Sequence, residues 1–336
     1  MAFVEVSASA RSGEFWEGMM RVGDSFAGGG GTLVGAVQAG CEPVWAGNHD
    51  AAAVECLRRN FPGLRVDHAD LMNFDWTTLP DLDVWMGSPE CIGHTGARGK
   101  EMPHHDASRS TAWAFVQMLD VCRAIGRSLP RVLVVENVPA FRSWILYKRW
   151  RGCLRDLGYA IAEHVLEAGW FGCSAERARV IVVGVRGKRV PLLRWEKRPA
   201  VPALDVIDWH GGTWNPVEGR ARELAVDTHR QIADGLARFG DRFRIRYNGR
   251  ERRAGVAQDP RRPLGGPTTR DRFGLVRAFN GRPEFRMVAV REYARAMGFP
   301  DSHWLPEEKD AALRIVGNAV APPMARAVLE QIQAKL

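Results

Sequence analysis

Long apolar runs, clustered cysteines and internal repeats are all missing from this chain of 336 residues. No run of about 18 apolar residues occurs, so the sequence offers no ordinary membrane-spanning helix. The first residues lack the charged segment and apolar core of a secretory signal, and we therefore expect a cytoplasmic protein. Hydrophobic residues make up 46% of the chain and charged residues 26%, which is typical of a globular protein with room for two domains.

The six cysteines are dispersed, at positions 41, 56, 91, 122, 153 and 173. No two of them form a Cys-x-x-Cys pair, so the spacing predicts neither a disulfide framework nor a structural zinc site. His104, His105 and Asp106 come closest to a metal-ligating group, but adjacent histidines in a polar stretch are usually solvated. We therefore expect no metal.

Positive charge is in excess, with a formal net charge of +8. Fourteen arginines lie in the 49 residues from Arg238 to Arg286. This density exceeds what ordinary helix pairing needs, although a solvated charged face remains the plain alternative. It favours contact with phosphates, and therefore a nucleic-acid partner.

Strand and helix patterns alternate through the first half of the chain. Apolar runs predict strands at 20–26, 43–47, 65–71, 82–86 and 131–135. Helical spacing predicts helices at 33–39, 51–60 and 111–129. A final pair of strands is predicted at 158–166 and 179–186, and an antiparallel arrangement is open to it. Such alternation indicates an α/β, Rossmann-like fold built on a mostly parallel sheet.

The alternation stops between about residues 187 and 284, where prolines, glycine turns and the arginine-rich stretch accumulate. This change predicts a second, smaller and irregular domain. The expected division is a first domain of residues 20–186 plus 305–336 and a second domain of residues 187–304. Residues 92–110 are expected to form a long polar loop.

Two candidate catalytic side chains follow predicted strands. Cys91 comes just after the strand at 82–86, and Glu136 ends the strand at 131–135. A lone cysteine is more often a buried core residue, but the carboxyl ends of parallel strands are where ligands bind in such sheets. Residues 27–32 form a glycine turn between a strand and a helix, which is typical of nucleotide-type ligands.

The order of these motifs resembles that of the DNA cytosine-5 methyltransferase family. Residues 24–31 resemble its cofactor-binding glycine motif, and Ser88-Pro89-Glu90-Cys91 resembles its proline-cysteine nucleophile motif. The other similar segments are Glu136-Asn137-Val138, Arg177-Ala178-Arg179, residues 291–301 and residues 316–323. The likeness extends from about residue 20 to residue 330.

The resemblance implies an S-adenosylmethionine-dependent methyltransferase fold with a target-recognition domain, which we expect at 187–304. It implies Cys91 as nucleophile, Glu136 against the cytosine ring N3 and amine, and Arg179, with Arg177, on the carbonyl side of the base. The cofactor would contact Phe26, Ala27, Gly28, Gly30, Asn48, His49, Asp70, Leu71, Asn318 and Ala319. DNA contacts are expected from Arg98, Lys100, Arg109, Arg261, Arg262, Thr268, Thr269, Arg270 and Arg272.

The same family chemistry implies a covalent route. Addition of the Cys91 thiolate at C6 makes cytosine C5 nucleophilic enough to take a methyl group. The cytosine must be flipped out of duplex DNA to reach the thiolate. S-adenosylmethionine becomes S-adenosylhomocysteine, and the loop at 92–110 is expected to close over the DNA. We expect a monomer near the nucleoid, with a cognate restriction endonuclease as a candidate partner.

The sequence departs from the family pattern at Glu90, where proline is usual, at Asn48, where an acid usually binds the ribose, and at Ala175, where glutamine is common. Two alternatives stay open: a cytosine-5 methyltransferase acting on transfer RNA, and a non-catalytic DNA-binding module of the same fold. A nicotinamide-linked dehydrogenase would need an acid at position 48 and a Gly-x-Gly-x-x-Gly spacing, and the chain has neither.

Overall fold

The structure is a computed structural model that describes residues 18–94, 102, 104–187, 189–220, 223–246 and 257–336. In these ranges no helix combines the length and apolar character needed to cross a membrane. The chain forms two compact units, and the first consists of Met1–Leu166, Ala178–Arg194 and Met324–Leu336. The second consists of Glu167–Arg177 and Trp195–Pro323, so residues 305–323 group with it and not with the unit that we expected.

A seven-stranded sheet organises the first unit, in the order β3-β2-β1-β4-β5-β7-β6. Its strands are β1 (Arg21–Ser25), β2 (Glu42–Asn48), β3 (Arg65–His68), β4 (Val84–Gly87), β5 (Val132–Asn137), β6 (Tyr159–Glu167) and β7 (Ala178–Arg186). The pairs β1–β2, β1–β4, β2–β3 and β4–β5 are parallel, whereas β7 runs antiparallel to β5. The predicted Rossmann-like α/β fold is confirmed.

The helices of the first unit differ from the prediction mainly around residue 110. The first five are α1 (Gly31–Gln38), α2 (Ala51–Asn60), α3 (His104–Ser110), α4 (Ala114–Ala124) and α5 (Tyr147–Asp156). The predicted loop at 92–110 therefore contains a helix. The predicted helix at 111–129 starts later, because residues 111–113 form a 3-10 turn. It stops sooner because Gly126 has a φ of 72°, a left-handed conformation that glycine favours.

The core of the first unit is rich in aromatic rings. Helix α4 buries one face at helical spacing, formed by Ala114, Phe115, Met118, Leu119 and Cys122. The Phe115 ring stacks on Trp85 of β4 with a centroid distance of 4.1 Å. This packing fixes β4 against α4 and therefore holds the strand that precedes Cys91.

The second unit is more regular than its composition indicated. It contains an antiparallel sheet in the order β8-β11-β10-β9, formed by β8 (Asn215–Pro216), β9 (Arg242–Arg246), β10 (Phe273–Phe279) and β11 (Arg282–Met287). Its helices are α6 (Ala203–Val206), α7 (Val226–Phe239), α8 (Val290–Ala296) and α9 (Lys309–Asn318), and α10 (Pro322–Gln333) closes the chain. In β9, the buried residues Phe243 and Ile245 alternate with arginines. Part of the arginine-rich stretch is therefore a β-strand in which every second residue is apolar.

Candidate active site

Three parallel strands bring the candidate catalytic residues to one edge of the first unit's sheet. β1, β4 and β5 are neighbours that run in the same direction, so their C-terminal ends lie side by side. The strand order reverses between β1 and β4, and ligands bind at such a switch point in open α/β sheets. The glycine turn follows β1, Cys91 follows β4, and Glu136 lies at the end of β5.

The turn after β1 has an unusual backbone. Phe26 and Gly28 have φ angles of 57° and 52°, and Gly30, the residue before α1, has a φ of 85°. A Cβ at position 30 would lie 2.6 Å from the Phe61 ring, so only glycine fits there. No side chain caps the start of α1, which leaves its first N–H groups facing the turn. This cradle fits a ligand that approaches the backbone, as the cofactor of the implied family does.

The other predicted cofactor residues of the first unit occupy the ends of β2 and β3. Asn48 is buried, and its Oδ1 accepts a hydrogen bond from the Asp50 N–H at 2.9 Å. His49 is exposed. Asp70 is also exposed, and its carboxylate accepts a hydrogen bond from the Met72 N–H at 3.0 Å. Asn48 therefore stabilises its own turn, whereas the exposed Asp70 carboxylate is oriented by the Met72 N–H and by the Asn73 side-chain amide, which donates to it at 2.6 Å.

Three of the four remaining predicted cofactor residues, Ala27, Leu71 and Ala319, have apolar side chains that cannot donate or accept a hydrogen bond. Ala27 is buried, and its N–H donates to the Gly47 carbonyl at 3.2 Å. Leu71 is buried in the aromatic core. Asn318 ends α9 of the second unit and is exposed, while Ala319 is buried. Their roles toward a cofactor stay predictions.

Cys91 lies in a short segment, residues 88–94, which we call the Cys91 loop. The cysteine is partly exposed, and the residues on both sides of it are anchored. Before it, the Pro89 carbonyl accepts a hydrogen bond from the Asn137 amide at 2.9 Å. After it, the His94 N–H donates to the Cys91 carbonyl at 2.9 Å, which closes a tight turn. The sulfur is thus held at the sheet edge by a fixed backbone.

Aromatic packing anchors the end of the Cys91 loop. His94 is buried, and its ring meets Phe141 edge-on at a centroid distance of 4.9 Å and Trp144 at 5.8 Å. Phe141 belongs to the 3-10 helix that follows β5. The segment after Glu136 therefore supports the segment after Cys91.

Glu136 and Arg179 form an ion pair at the same sheet edge. Because β7 is antiparallel to β5, the first residues of β7 lie beside the last residues of β5. Arg179 Nε is 2.7 Å from Glu136 Oε1, and the two side chains are only 12% and 10% exposed. Arg179 Nη1 also donates to the Ala178 carbonyl at 2.7 Å, so the guanidinium is held at two points. The structure thus brings Cys91, Glu136 and Arg179 to one edge, while their catalytic roles stay predictions.

Arg177 does not share this environment. It belongs to the second unit, and its side chain is buried. Arg177 Nη1 donates to the Pro267 carbonyl at 3.4 Å, and the backbone N–H donates to the Glu167 carboxylate. Arg177 therefore ties segments of its own unit together, and a direct catalytic role for it stays a prediction.

Asp24 is a notable side chain that the sequence did not single out as a chemical group. It lies in β1 and is completely buried. Burial raises the pKa of its carboxyl to about 7, with the Thr32 hydroxyl opposing this shift and the charge of Glu136 adding to it. The available signal was an acid inside a predicted strand.

The predicted DNA contacts are in varied settings. Arg98 and Lys100 lie outside the described residues. Arg109 is 14% exposed at its side chain, pairs with Asp106, and donates from Nε to the Gly93 carbonyl at 2.9 Å. Much of its bonding capacity is therefore used within the first unit, and it is less available to a phosphate than we expected.

In the second unit, most of the predicted DNA contacts are exposed. Exposed side chains are those of Arg261, Arg262, Thr269 and Arg270, whereas Thr268 and Arg272 are partly exposed. Arg261 Nε is 3.2 Å from Asp259 Oδ1, a surface pair that a phosphate can displace at small cost. Thr268 Oγ1 donates to the Arg270 carbonyl at 2.8 Å, which fixes the local turn.

Several arginines of the dense stretch are structural. Arg286 is buried and bonds both oxygens of Glu292, at 2.6 and 2.8 Å. Arg244 is buried and donates to the Leu264 carbonyl, and desolvation lowers the pKa of its guanidinium to about 10. Fewer arginines are therefore available to bind phosphate than their number in the sequence indicated, because some of them stabilise the second unit.

A cavity of about 570 Å³ lies elsewhere, between Arg131, just before β5, and Arg186, at the end of β7. It is at the opposite edge of the sheet from Cys91, since β5 begins there. Its lining contains neither the candidate nucleophile nor the Glu136–Arg179 pair, so the cavity is not part of the candidate site.

Comparison with known proteins identifies the family. The family model for C-5 cytosine-specific DNA methylases matches residues 20–334. The chain is 25% identical over 324 residues to the type II methyltransferase M1.ScrFI of Lactococcus lactis subsp. cremoris, covering 92% of this chain and 77% of that one. It is 28% identical over 332 residues to the type II methyltransferase M.NaeI of Lentzea aerocolonigenes, covering 92% and 74%.

A solved structure with a similar fold is the Entamoeba histolytica methyltransferase EhMeth. It has a TM-score of 0.69 and 14% sequence identity, with 94% of this chain and 98% of that chain covered. The family match extends over the βα units, over the segment that carries Cys91, Glu136 and Arg179, and over the second unit. This chain belongs to the C-5 cytosine-specific DNA methylases and is a DNA cytosine-5 methyltransferase.

Proposed function

We propose that this enzyme methylates a flipped-out cytosine in duplex DNA through a covalent Cys91 adduct and serves a restriction-modification system. The observation that carries the proposal is the single sheet edge that holds Cys91, the Glu136–Arg179 pair and the glycine turn after β1. The restriction-modification role is supported by the names of its relatives, which are type II methyltransferases.

Cys91 supplies the nucleophile. The thiolate electron pair forms a bond to cytosine C6, the ring electrons move toward C5 and N3, and N3 takes up a proton. S-adenosylmethionine, held by the turn at residues 26–30 and by Asp70, would supply the methyl group and leave as S-adenosylhomocysteine. Loss of the C5 proton to a base then returns an electron pair to the ring, which breaks the S–C6 bond and frees the Cys91 thiolate, and N3 gives its proton back to water.

Glu136 and Arg179 act on the cytosine ring. The Glu136 carboxylate accepts a hydrogen bond from the exocyclic amine and another from N3, once N3 has taken up a proton from water. Arg179 places fixed positive charge beside the carbonyl oxygen, where negative charge develops on addition of the thiolate. Their 2.7 Å contact keeps the carboxylate oriented before the base arrives, so less reorganisation is needed during the reaction.

The substrate is proposed to be double-stranded DNA. A cytosine inside a duplex cannot reach Cys91, and flipping it costs a few kcal/mol. The exposed arginines of the second unit, among them Arg262 and Arg270, offer phosphate contacts that can offset this cost. The enzyme is expected to act as a monomer in the cytoplasm, close to the nucleoid.

The proposal is tested by trapping on DNA that contains 5-fluorocytosine. Fluorine replaces the C5 proton and cannot be removed by a base, so the enzyme stays bonded to C6 after methyl transfer. We expect an adduct that resists denaturation and requires S-adenosylmethionine, and we expect Cys91→Ala to abolish it. Cys153→Ser is the matched control, because this partly exposed cysteine lies in α5 and should leave trapping intact.

An unchanged adduct in Cys91→Ala, or no adduct with any DNA sequence in a random library, contradicts the proposal. The same assay with 5-fluorocytosine transfer RNA separates the two nucleic acids. Trapping on RNA alone would reject DNA as the substrate.

A further inference from the structure

The residue before Cys91 carries a backbone N–H group, because it is Glu90 and not proline. Such a group needs a hydrogen-bond acceptor when it is withdrawn from water. The Glu90 N–H donates to Thr111 Oγ1 at 2.9 Å. Thr111 lies in the 3-10 turn that connects α3 to α4, 21 residues farther along the chain.

The Thr111 hydroxyl has both a donor and an acceptor partner. It accepts from the Glu90 N–H, and it donates to the Ser108 carbonyl at 2.8 Å, so its one proton and one of its lone pairs have partners within the same unit. Thr111 is buried, with an exposed fraction of 7%. Water therefore competes poorly for this hydroxyl, and the hydrogen bond to Glu90 has a defined geometry.

A second contact joins the same helical segment to the other side of Cys91. The Gly93 N–H donates to Ser108 Oγ at 3.2 Å, and Ser108 is buried. A Cβ at position 93 would lie 2.7 Å from Arg109 Cγ and would collide with the His105 carbonyl, so the loop approaches α3 as closely as glycine allows. Residues on both sides of the nucleophile are thus fixed to one segment.

We propose that Thr111 is a positioning residue that, through the Glu90 N–H, sets where the Cys91 sulfur lies for attack on cytosine. The inference rests on the proposed function, because Cys91 is the nucleophile there. Without the hydroxyl, the Glu90 N–H loses its acceptor and Cys91 samples more positions before the reaction. The rate of addition then falls, because that step depends on sulfur placement of about an ångström.

The test compares Thr111→Val, which keeps the side-chain shape and removes the hydroxyl, with Thr111→Ser, which keeps the hydroxyl. Ser110→Ala is the matched control, because the Ser110 hydroxyl bonds the Ala107 carbonyl within α3 and has no role in the Cys91 loop. The readouts are the trapping rate on 5-fluorocytosine DNA at saturating DNA and cofactor, and the DNA dissociation constant.

We expect Thr111→Val to slow trapping by about 10-fold or more, while the DNA dissociation constant changes less than about twofold. Thr111→Ser and Ser110→Ala should trap within about threefold of the parent protein. In a Glu90→Pro background, where the donor is absent, Thr111→Val should slow trapping by less than about twofold.

Several results would overturn the positioning role. These are a Thr111→Val enzyme that traps at the parent rate, a Thr111→Ser enzyme as slow as Thr111→Val, and an equal further loss in the Glu90→Pro background. A parent protein that traps no DNA at all would instead reject the proposed function. The two failures are therefore distinguishable.

Discussion

The buried acid Asp24 makes the stability of this enzyme depend on pH in an uncommon direction. Burial raises the pKa of its carboxyl from 3.8 to about 7. Between these two values the folded protein keeps the Asp24 proton that the unfolded chain has already lost. Unfolding then releases a proton, so the free energy of unfolding falls as the pH rises from about 4 to about 7.

The size of the effect follows from the shift. A pKa raised by about three units lowers the free energy of unfolding by about 4 kcal/mol at pH 8 relative to its value near pH 4. At pH 8 the folded state must either ionise the buried acid or keep its proton, and both cost free energy. Asp24→Asn removes the ionisation and keeps the shape of the side chain. We expect this variant to match the parent protein near pH 4 and to be more stable by up to about 4 kcal/mol at pH 8.

The measurement is urea unfolding of both proteins without cofactor, followed by circular dichroism at several values between pH 4.5 and 8.5. Asp75→Asn is the control, because Asp75 is exposed and the hydroxyl and N–H of Thr77 lower the pKa of its carboxyl. The stability that the ionised Asp75 contributes is lost only as the pH falls toward acid, so the difference in unfolding free energy between this variant and the parent should stay constant above pH 5. An Asp24→Asn protein that is less stable than the parent at pH 8 would show that the folded state stabilises the charged acid, contrary to our argument.

Two further predictions concern packing and the second unit. Gly87→Ala should lower the free energy of unfolding by about 3 kcal/mol, because its Cβ would come within 2.7 Å of a backbone oxygen of β1. Gly126→Ala, at an open position with a φ of 72°, should lose only about 1 kcal/mol in the same urea titration. Arg286→Met should lower the free energy of unfolding by about 3–5 kcal/mol, because it leaves the buried charge of Glu292 without its partner. The double variant with Glu292→Met should regain part of that stability, as measured by thermal unfolding. Equal effects of the two alanine substitutions, or no effect of Arg286→Met, would contradict these estimates.

Local sequence patterns were enough to predict the Rossmann-like unit and the two strand-end residues Cys91 and Glu136. Apolar runs and helical spacing are short-range properties, and parallel strands place their C-terminal ends at one edge whatever the intervening loops do. The same patterns failed in β9, where Arg242 and Arg244 alternate with buried apolar residues. Composition alone cannot tell an arginine that faces phosphate from one that bonds a buried carbonyl.

The sequence by itself determined the family, the order of its motifs and the candidate nucleophile, because these depend on residues adjacent in the chain. Tertiary structure decided which side chains complete the site. Arg179 reaches Glu136 because β7 runs antiparallel to β5, and Thr111 reaches Glu90 because the segment between α3 and α4 packs on the Cys91 loop. Such contacts join residues 43 and 21 positions apart, and their energies depend on burial and register that no local pattern encodes.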